Sequence, residues 1–283
     1  NKAYHIMKIA QKYYKIIEIL ELLFLAILFF IIYRYSIPPS FNQIYENRRF
    51  FDSDGEFIIR QFYNNSTFTH NDHIFYHIIA RFLYNHPKLL GLGKNPVRIH
   101  LFLSSFFGAL TITGIYWWNR KILQDKILAA SLSSIAAFSA SMWFFSSTID
   151  TYVPCLFFSF SSLVITFYAL ATNNYIIHIM LGISMGTAFL FRTDSFLLAN
   201  LLLIYFFKFK NRWKQFILVT ITGLIVSVAG YYLLAHFYYN IPFSEVINWA
   251  MGGVKRPESR IEQSWGNIKN FSLYNFSTTA VNH

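Results

Sequence analysis

Apolar residues in this chain gather into long blocks rather than alternating with polar ones. The blocks run from Ile16 to Tyr33, Val97 to Trp118, Ile127 to Ser147, Tyr152 to Ala171, Tyr175 to Phe191, Ser195 to Phe207 and Gln215 to His236. A hydrocarbon core takes about 20 residues of helix at a rise of about 1.5 Å each, so the pattern predicts an all-α, polytopic transmembrane bundle of about seven spans. The sixth block is short. It needs its flanks to cross, or forms a broken or re-entrant pair with the fifth.

A long segment, residues 36–96, separates the first two blocks. Pro38 and Pro39 end the first helix, since neither can continue it. Asp54-Gly55 is a turn signal, and Asp54 or Ser53 can cap a short helix running to about Tyr63. From Asp72 to Tyr84 the periodicity predicts a second helix, with Ile74, Phe75, Ile78, Ile79, Phe82 and Leu83 on one side and His73, His77 and Arg81 on another. Both read as helices lying in the membrane interface of an outer first loop.

Composition agrees with a chain whose solvent is lipid: 55% of the 283 residues are hydrophobic and 13% charged, against about 25% charged in soluble domains. The net charge of +11 would suggest nucleic acid in a soluble protein. Here the basic residues fall between apolar blocks, so they act as topology signals and lipid contacts, and no nucleic-acid partner is expected. Lys2, Lys8, Lys12 and Lys15, then Arg120, Lys121 and Lys126, then Lys208, Lys210, Arg212 and Lys214 all fall on one face under strict alternation. The positive-inside rule makes that face cytoplasmic. Cys155, alone in its type, excludes a disulfide framework and a multi-cysteine zinc site. The expected organisation is a membrane module over 1–236 with its outer loop at 36–96, followed by an outer polar segment, 237–283. Asn1 in place of a start methionine and the polar end point to a chain that continues further.

The same orientation gathers the acids outside. Among all Asp and Glu, Glu18, Glu21 and Asp125 alone are placed elsewhere. Asp52-Ser53-Asp54-Gly55-Glu56 concentrates three carboxylates, which in a low-dielectric site cannot all ionise fully, so one is a candidate general base. A solvated turn with a helix cap is the plainer reading. Asp52-x-Asp54 also matches a spacing that binds divalent metal, although nothing in the residues requires a cofactor. His73 and His77 lack the neighbouring glutamate of a zinc helix. Asp150 and Asp194 stand in very short outer turns, where each either caps the next helix or serves a site. His100 and His178, alone in apolar blocks, read as packing residues.

In this order these features resemble the GT-C superfamily of membrane glycosyltransferases, in the branch related to the protein O-mannosyltransferases. That branch carries Gly-Asp-Ser-Gly-Glu followed by His-Pro-Pro-Gly-Tyr in its first outer loop. Here the matching stretches are Asp52-Ser53-Asp54-Gly55-Glu56 and His70-Asn71-Asp72-His73-Ile74-Phe75-Tyr76, without the prolines. Trp143 to Tyr152 is similar to the aromatic span end followed by Glu-Val-Tyr, with Asp150 for the glutamate. Arg192-Thr193-Asp194 occupies the polar turn after a span containing Gly182 and Gly186.

The resemblance implies sugar transfer from a polyprenyl-phosphate carrier to a hydroxyl on the outer or lumenal face. It implies catalysis by Asp54, Asp52 or Glu56, and substrate contacts from Arg48, Arg49, His70, His73, Asp150, Arg192, Asp194, Lys255 and Arg256. The alternative class is a transporter or flippase, or a noncatalytic assembly subunit. A multi-pass protein of a bacterial inner membrane or of the endoplasmic reticulum fits either.

Overall fold

A computed structural model describes residues 2–36, 55, 58–59, 62, 73–203 and 213–250. Among them every regular element is helical: α1 (Lys2–Tyr35), α2 (Ile74–Asn85), α3 (Pro96–Leu123), α4 (Lys126–Ala137), α5 (Ala140–Ser147), α6 (Tyr152–Ala171) and α7 (Tyr175–Phe191). These are followed by α8 (Thr193–Leu203), α9 (Trp213–Tyr239) and α10 (Val246–Ala250). α8 opens as 3-10 helix over Thr193–Ala199, and α9 carries a π turn at Ile225–Ala229.

Four of these helices are long and apolar enough to cross a membrane, and a fifth crossing is made if α4 and α5 count as one broken span. That architecture is consistent with a multi-pass membrane protein. It has fewer full-length crossings than the seven blocks predict, for physical reasons. α7 is 17 residues long, short of the roughly 20 that span hydrocarbon. α8 is shorter still, and the third block is bent by 65°.

The bend falls where the sequence has neither proline nor glycine. Ser139 takes an extended conformation and N-caps α5, accepting from Met142 N at 3.4 Å while its own hydroxyl donates to Ala136 O at 2.7 Å. A broken helix leaves carbonyls unpaired, and within a bilayer no water satisfies them. Tyr33, fully buried on α1, donates its hydroxyl to Ala137 O at 3.1 Å. The phenol hydroxyl of α1 thus supplies the donor that the break between α4 and α5 lacks.

α3 is the central helix, with 67% of its apolar window buried against 11% for α1. Ser104, Ser105, Gly108, Ala109 and Thr111 keep its surface small, so neighbours approach closely. A Cβ on Gly108 would lie 2.4 Å from Ser146 Oγ. On α7, Cβ atoms at Gly182 and Gly186 would lie 2.7 Å from Thr222 Cβ and 2.6 Å from Val226 Cβ of α9. Only glycine permits these contacts.

At the other end of the α1 span, its two acids face protein rather than lipid. Glu21 receives Arg120 Nη1 at 2.5 Å, Lys126 Nζ at 3.5 Å and the hydroxyl of Tyr116, and Glu18 pairs with Lys121 at 2.8 Å. Ionised groups at membrane depth are retained where they pair. These contacts tie the middle of α1, where its apolar span begins, to the end of α3 and the start of α4, the antiparallel arrangement that strict alternation requires.

α2 forms where the periodicity predicts it, but its buried face differs. Ile74, Tyr76, His77, Ala80 and Leu83 are buried while Phe82 is 52% exposed. α2 packs on α3 and α7, so its inner face meets polar protein groups as well as apolar ones. A division into a lipid side and a wet side does not describe it.

The described residues 235–250 belong to a second compact unit. Within it His236 stacks on Phe243 with ring centroids 3.9 Å apart, and its Nδ1 donates to Ile241 O at 2.9 Å.

Two outcomes follow. In a Cys155→Ala background, a single cysteine at Lys94 is labelled from outside and one at Gln124 only after permeabilisation; the reverse pattern would invert the topology. Tyr33→Phe lowers unfolding stability by about 1 kcal/mol or more, because the Ala137 carbonyl loses its donor, and speeds amide exchange around residues 138–142. An unchanged melting temperature in detergent would show that the carbonyl is satisfied otherwise.

Candidate functional site

The turn Thr148–Thr151, between α5 and α6, is almost fully buried. Asp150 Oδ1 accepts from Thr151 N at 2.5 Å and from Tyr152 N at 2.9 Å, so the carboxylate sits on the positive end of α6. From α3, Ser104 Oγ donates to Asp150 O at 3.5 Å. Tyr76 of α2 is completely buried, and burial together with the nearby Asp150 carboxylate pushes its ionisation up, keeping it a neutral phenol.

Arg192 ends α7 and joins three elements. Its Nε donates to both Asp194 oxygens at 3.1 Å, Nη2 to Asp194 Oδ2 at 2.9 Å, and Nη1 to Thr151 Oγ1 at 3.1 Å. The guanidinium lies 3.8 Å over the Tyr152 ring, a stacked cation–π contact. Because a guanidinium only donates, Thr151 Oγ1 is the acceptor. The same oxygen lies 3.4 Å from His73 Nδ1, a hydrogen bond whose direction the imidazole tautomer sets. The chain Arg192 to Thr151 to His73 therefore joins α7, α6 and the start of α2.

Asp150, Arg192, Asp194 and His73, each predicted from sequence, are thus gathered at one place. Asp150 caps its helix. Asp194 is paired with Arg192, the residue at the N-cap of α8, whose own side chain makes no cap bond. Asp52, Asp54, Glu56, Arg48, Arg49, His70, Lys255 and Arg256 lie outside the described residues. The first loop is nonetheless represented by Gly55, Ile58, Ile59 and Phe62. A Cβ on Gly55 would lie 3.1 Å from Ile149 O, a tight approach to the residue before Asp150. Ile58 and Ile59 pack with Val97, Leu101 and Ile149.

Sequence reasoning missed the cavity. A space of about 490 Å³ opens where α4 bends into α5, with Ile112 and Ile115 of α3, Met142 and Phe145 of α5 and Leu156 of α6 among its walls. Arg192 and Asp194 are its charged lining. It is an apolar slot with an ion pair on its wall, suited to a long hydrocarbon with a polar head. Ser139 was the available signal: a residue that stabilises a helix start, set within an otherwise unbroken block.

Other predicted groups have plainer roles. His100 and His178 each donate from Nδ1 to the carbonyl four residues earlier, Pro96 at 2.7 Å and Asn174 at 2.8 Å. Cys155 is a buried free thiol on the cavity wall. Among the described residues no group of three or more His, Cys, Asp and Glu gathers to hold a metal, so they do not by themselves fit one. Compared with models of known families, with curated proteins and with solved structures, the chain matches none.

Hydrogen bonding from Arg192 holds the Asp194 carboxyl below the usual carboxylate range. A depressed folded-state pKa contributes stability that is complete above the unfolded value and is lost as pH falls through the folded one. Wild-type protein therefore loses melting temperature relative to Asp194→Asn as pH drops below about 4. Parallel pH profiles for the two proteins would show that the pair contributes nothing to folding.

Proposed function

We propose that the chain is a membrane glycosyltransferase of the GT-C kind, taking a sugar from a polyprenyl-phosphate carrier on its outer face. The observation that carries this reading is the apolar cavity with Arg192 on its wall, beside the buried turn against which the first loop packs at Gly55. The isoprenoid occupies the cavity and its phosphate reaches the guanidinium. Three of the guanidinium's N–H groups are used by Asp194 and Thr151, leaving one hydrogen on each terminal nitrogen for an incoming oxygen.

In the reaction the acceptor's hydroxyl oxygen attacks the anomeric carbon. The bond from that carbon to the phosphate oxygen breaks, and its electron pair leaves on the lipid phosphate. The hydroxyl proton passes to a carboxylate, with inversion at the sugar. Arg192 stabilises the charge growing on the leaving phosphate. Asp54, covalent neighbour of Gly55, is the first choice of base and Asp52 the second. Glu56 is the third, since it begins an apolar run and suits a helix start. Asp194, 60% exposed, competes with the phosphate for Arg192 and weakens donor binding in the resting state.

The test is transfer of labelled sugar from a polyprenyl-phosphate donor by purified protein, with donor affinity measured separately. Arg192→Gln should weaken donor binding, whereas Asp194→Asn should tighten it. Loss of the base should cost about 10²- to 10⁴-fold in turnover at unchanged donor affinity, read in Asp54→Asn, Asp52→Asn and Glu56→Gln. Near-normal turnover in all three would remove the first loop from the chemistry, and unchanged donor affinity in Arg192→Gln would make that residue structural.

A further inference from the structure

Apolar space in this protein does not end at the donor cavity. A second cavity of about 390 Å³ shares Cys155, Ser159 and Asp194 with the first. A third of about 250 Å³, between α7, α8 and the π turn of α9, shares Ser195 and Leu198 with the second. Asp194 is where the paths divide, one toward the bend between α4 and α5, the other around the start of α8.

The polar chemistry of the two paths differs. The first carries the Arg192 guanidinium. Among the described residues no Lys, Arg or His lines the other two, whose polar groups are Asp194, Ser159, Ser195, Asn200, Thr220 and Ser227. Ser195 Oγ is buried beside the Cys155 thiol. A carboxylate held in its charged form by Arg192 accepts hydrogen bonds and repels a second anion. Hydroxyl and amide groups beside it suit a neutral head rich in hydroxyls. The remaining wall is hydrocarbon: Leu198, Leu202 and Leu224, next to the lipid-exposed Phe196 and Leu197. Water fills such a space poorly, and an acyl chain fills it well.

We infer that the second path binds the acyl chain of a neutral, hydroxyl-bearing lipid, whose head meets Asp194 and Ser195, and that this lipid is the acceptor. The word acceptor rests on the glycosyltransferase reading; the neutral-lipid site does not. Donor and acceptor then enter from the bilayer on opposite sides of the Arg192–Asp194 pair. Their heads converge at the outer turn, which also holds Asp150 and His73.

The test uses the full chain in phosphatidylcholine nanodiscs with diazirine-tagged probes, mapping crosslinks by mass spectrometry. The probes are diacylglycerol, polyprenyl phosphate and phosphatidylcholine. Diacylglycerol is expected to label Thr193–Leu203 and Trp213–Tyr239, and to persist there under excess unlabelled polyprenyl phosphate. Ala199→Trp, which fills the third cavity from an exposed position, should cut that labelling by about tenfold while leaving polyprenyl phosphate labelling of Pro96–Leu123 intact. Ser141→Trp in the first cavity should do the reverse. Asn200→Leu, exposed and free of packing demands, should reproduce the loss if Ala199→Trp folds poorly. Equal capture of phosphatidylcholine and diacylglycerol would overturn the inference, as would displacement of diacylglycerol by polyprenyl phosphate. If diacylglycerol labels its path while polyprenyl phosphate labels neither, the neutral-lipid site stands and the donor reading falls.

Discussion

A helix broken inside a membrane must find partners for the backbone groups it frees, and the rest of this structure depends on how that is met at Phe138–Ser139. Ser139 re-caps the chain as α5, and Tyr33 of α1 donates to the Ala137 carbonyl. With both in place the third block turns by 65° instead of running straight. The turn opens the apolar cavity against α3 and α6. It also directs α5 past Gly108, where Ser146 packs so closely that no other residue would fit, and delivers the chain to the buried turn at Asp150. A straight span would have filled the cavity with its own side chains.

The second constraint is electrostatic. Glu18, Glu21 and Arg192 each have a countercharge at hand. Glu18 and Glu21 pair with Lys121, Arg120 and Lys126 on one face, and Asp194 pairs with Arg192 on the other. The two clusters do different work. Several cations around two acids fasten the middle of α1 to the end of α3 and the start of α4. The Arg192–Asp194 pair forms the wall of open space, with the cation 15% exposed and the acid 60%. It is the more available for exchange with a ligand.

The helical class was legible because lipid-facing blocks need no long-range information: about 20 apolar residues in a row have few other fates. The turns at Asp150 and Arg192–Asp194 were legible for the same reason, being the short polar breaks between such blocks. What joins them was not. That Arg192 reaches Thr151, and Thr151 reaches His73, depends on which helices pack side by side. Hydropathy does not encode this. The glycines at 108, 182 and 186 do mark the close contacts, although a lone sequence does not say with which partner. The break at Ser139 was concealed because serine is tolerated within spans, and its effect depends on a tyrosine more than 100 residues away. On α2 the helical periodicity placed the apolar residues on one side and His73, His77 and Arg81 on another. Tyr76 is buried instead in the core cluster with Ile99 and Leu103 of α3, which only the packing of α2 on α3 brings together.

The proposed function requires the cavity to bind a lipid phosphate. The most direct measurement is a cryo-electron microscopy map of the purified chain, carried on a rigid binding fragment, with bound polyprenyl phosphate. The predicted result is continuous density between α3, α5 and α6 along Ile112, Met142 and Leu156, with the phosphate within hydrogen-bonding distance of Arg192 Nη1 or Nη2. Density for the lipid elsewhere, with this cavity vacant and the Arg192–Asp194 pair undisturbed, would contradict it.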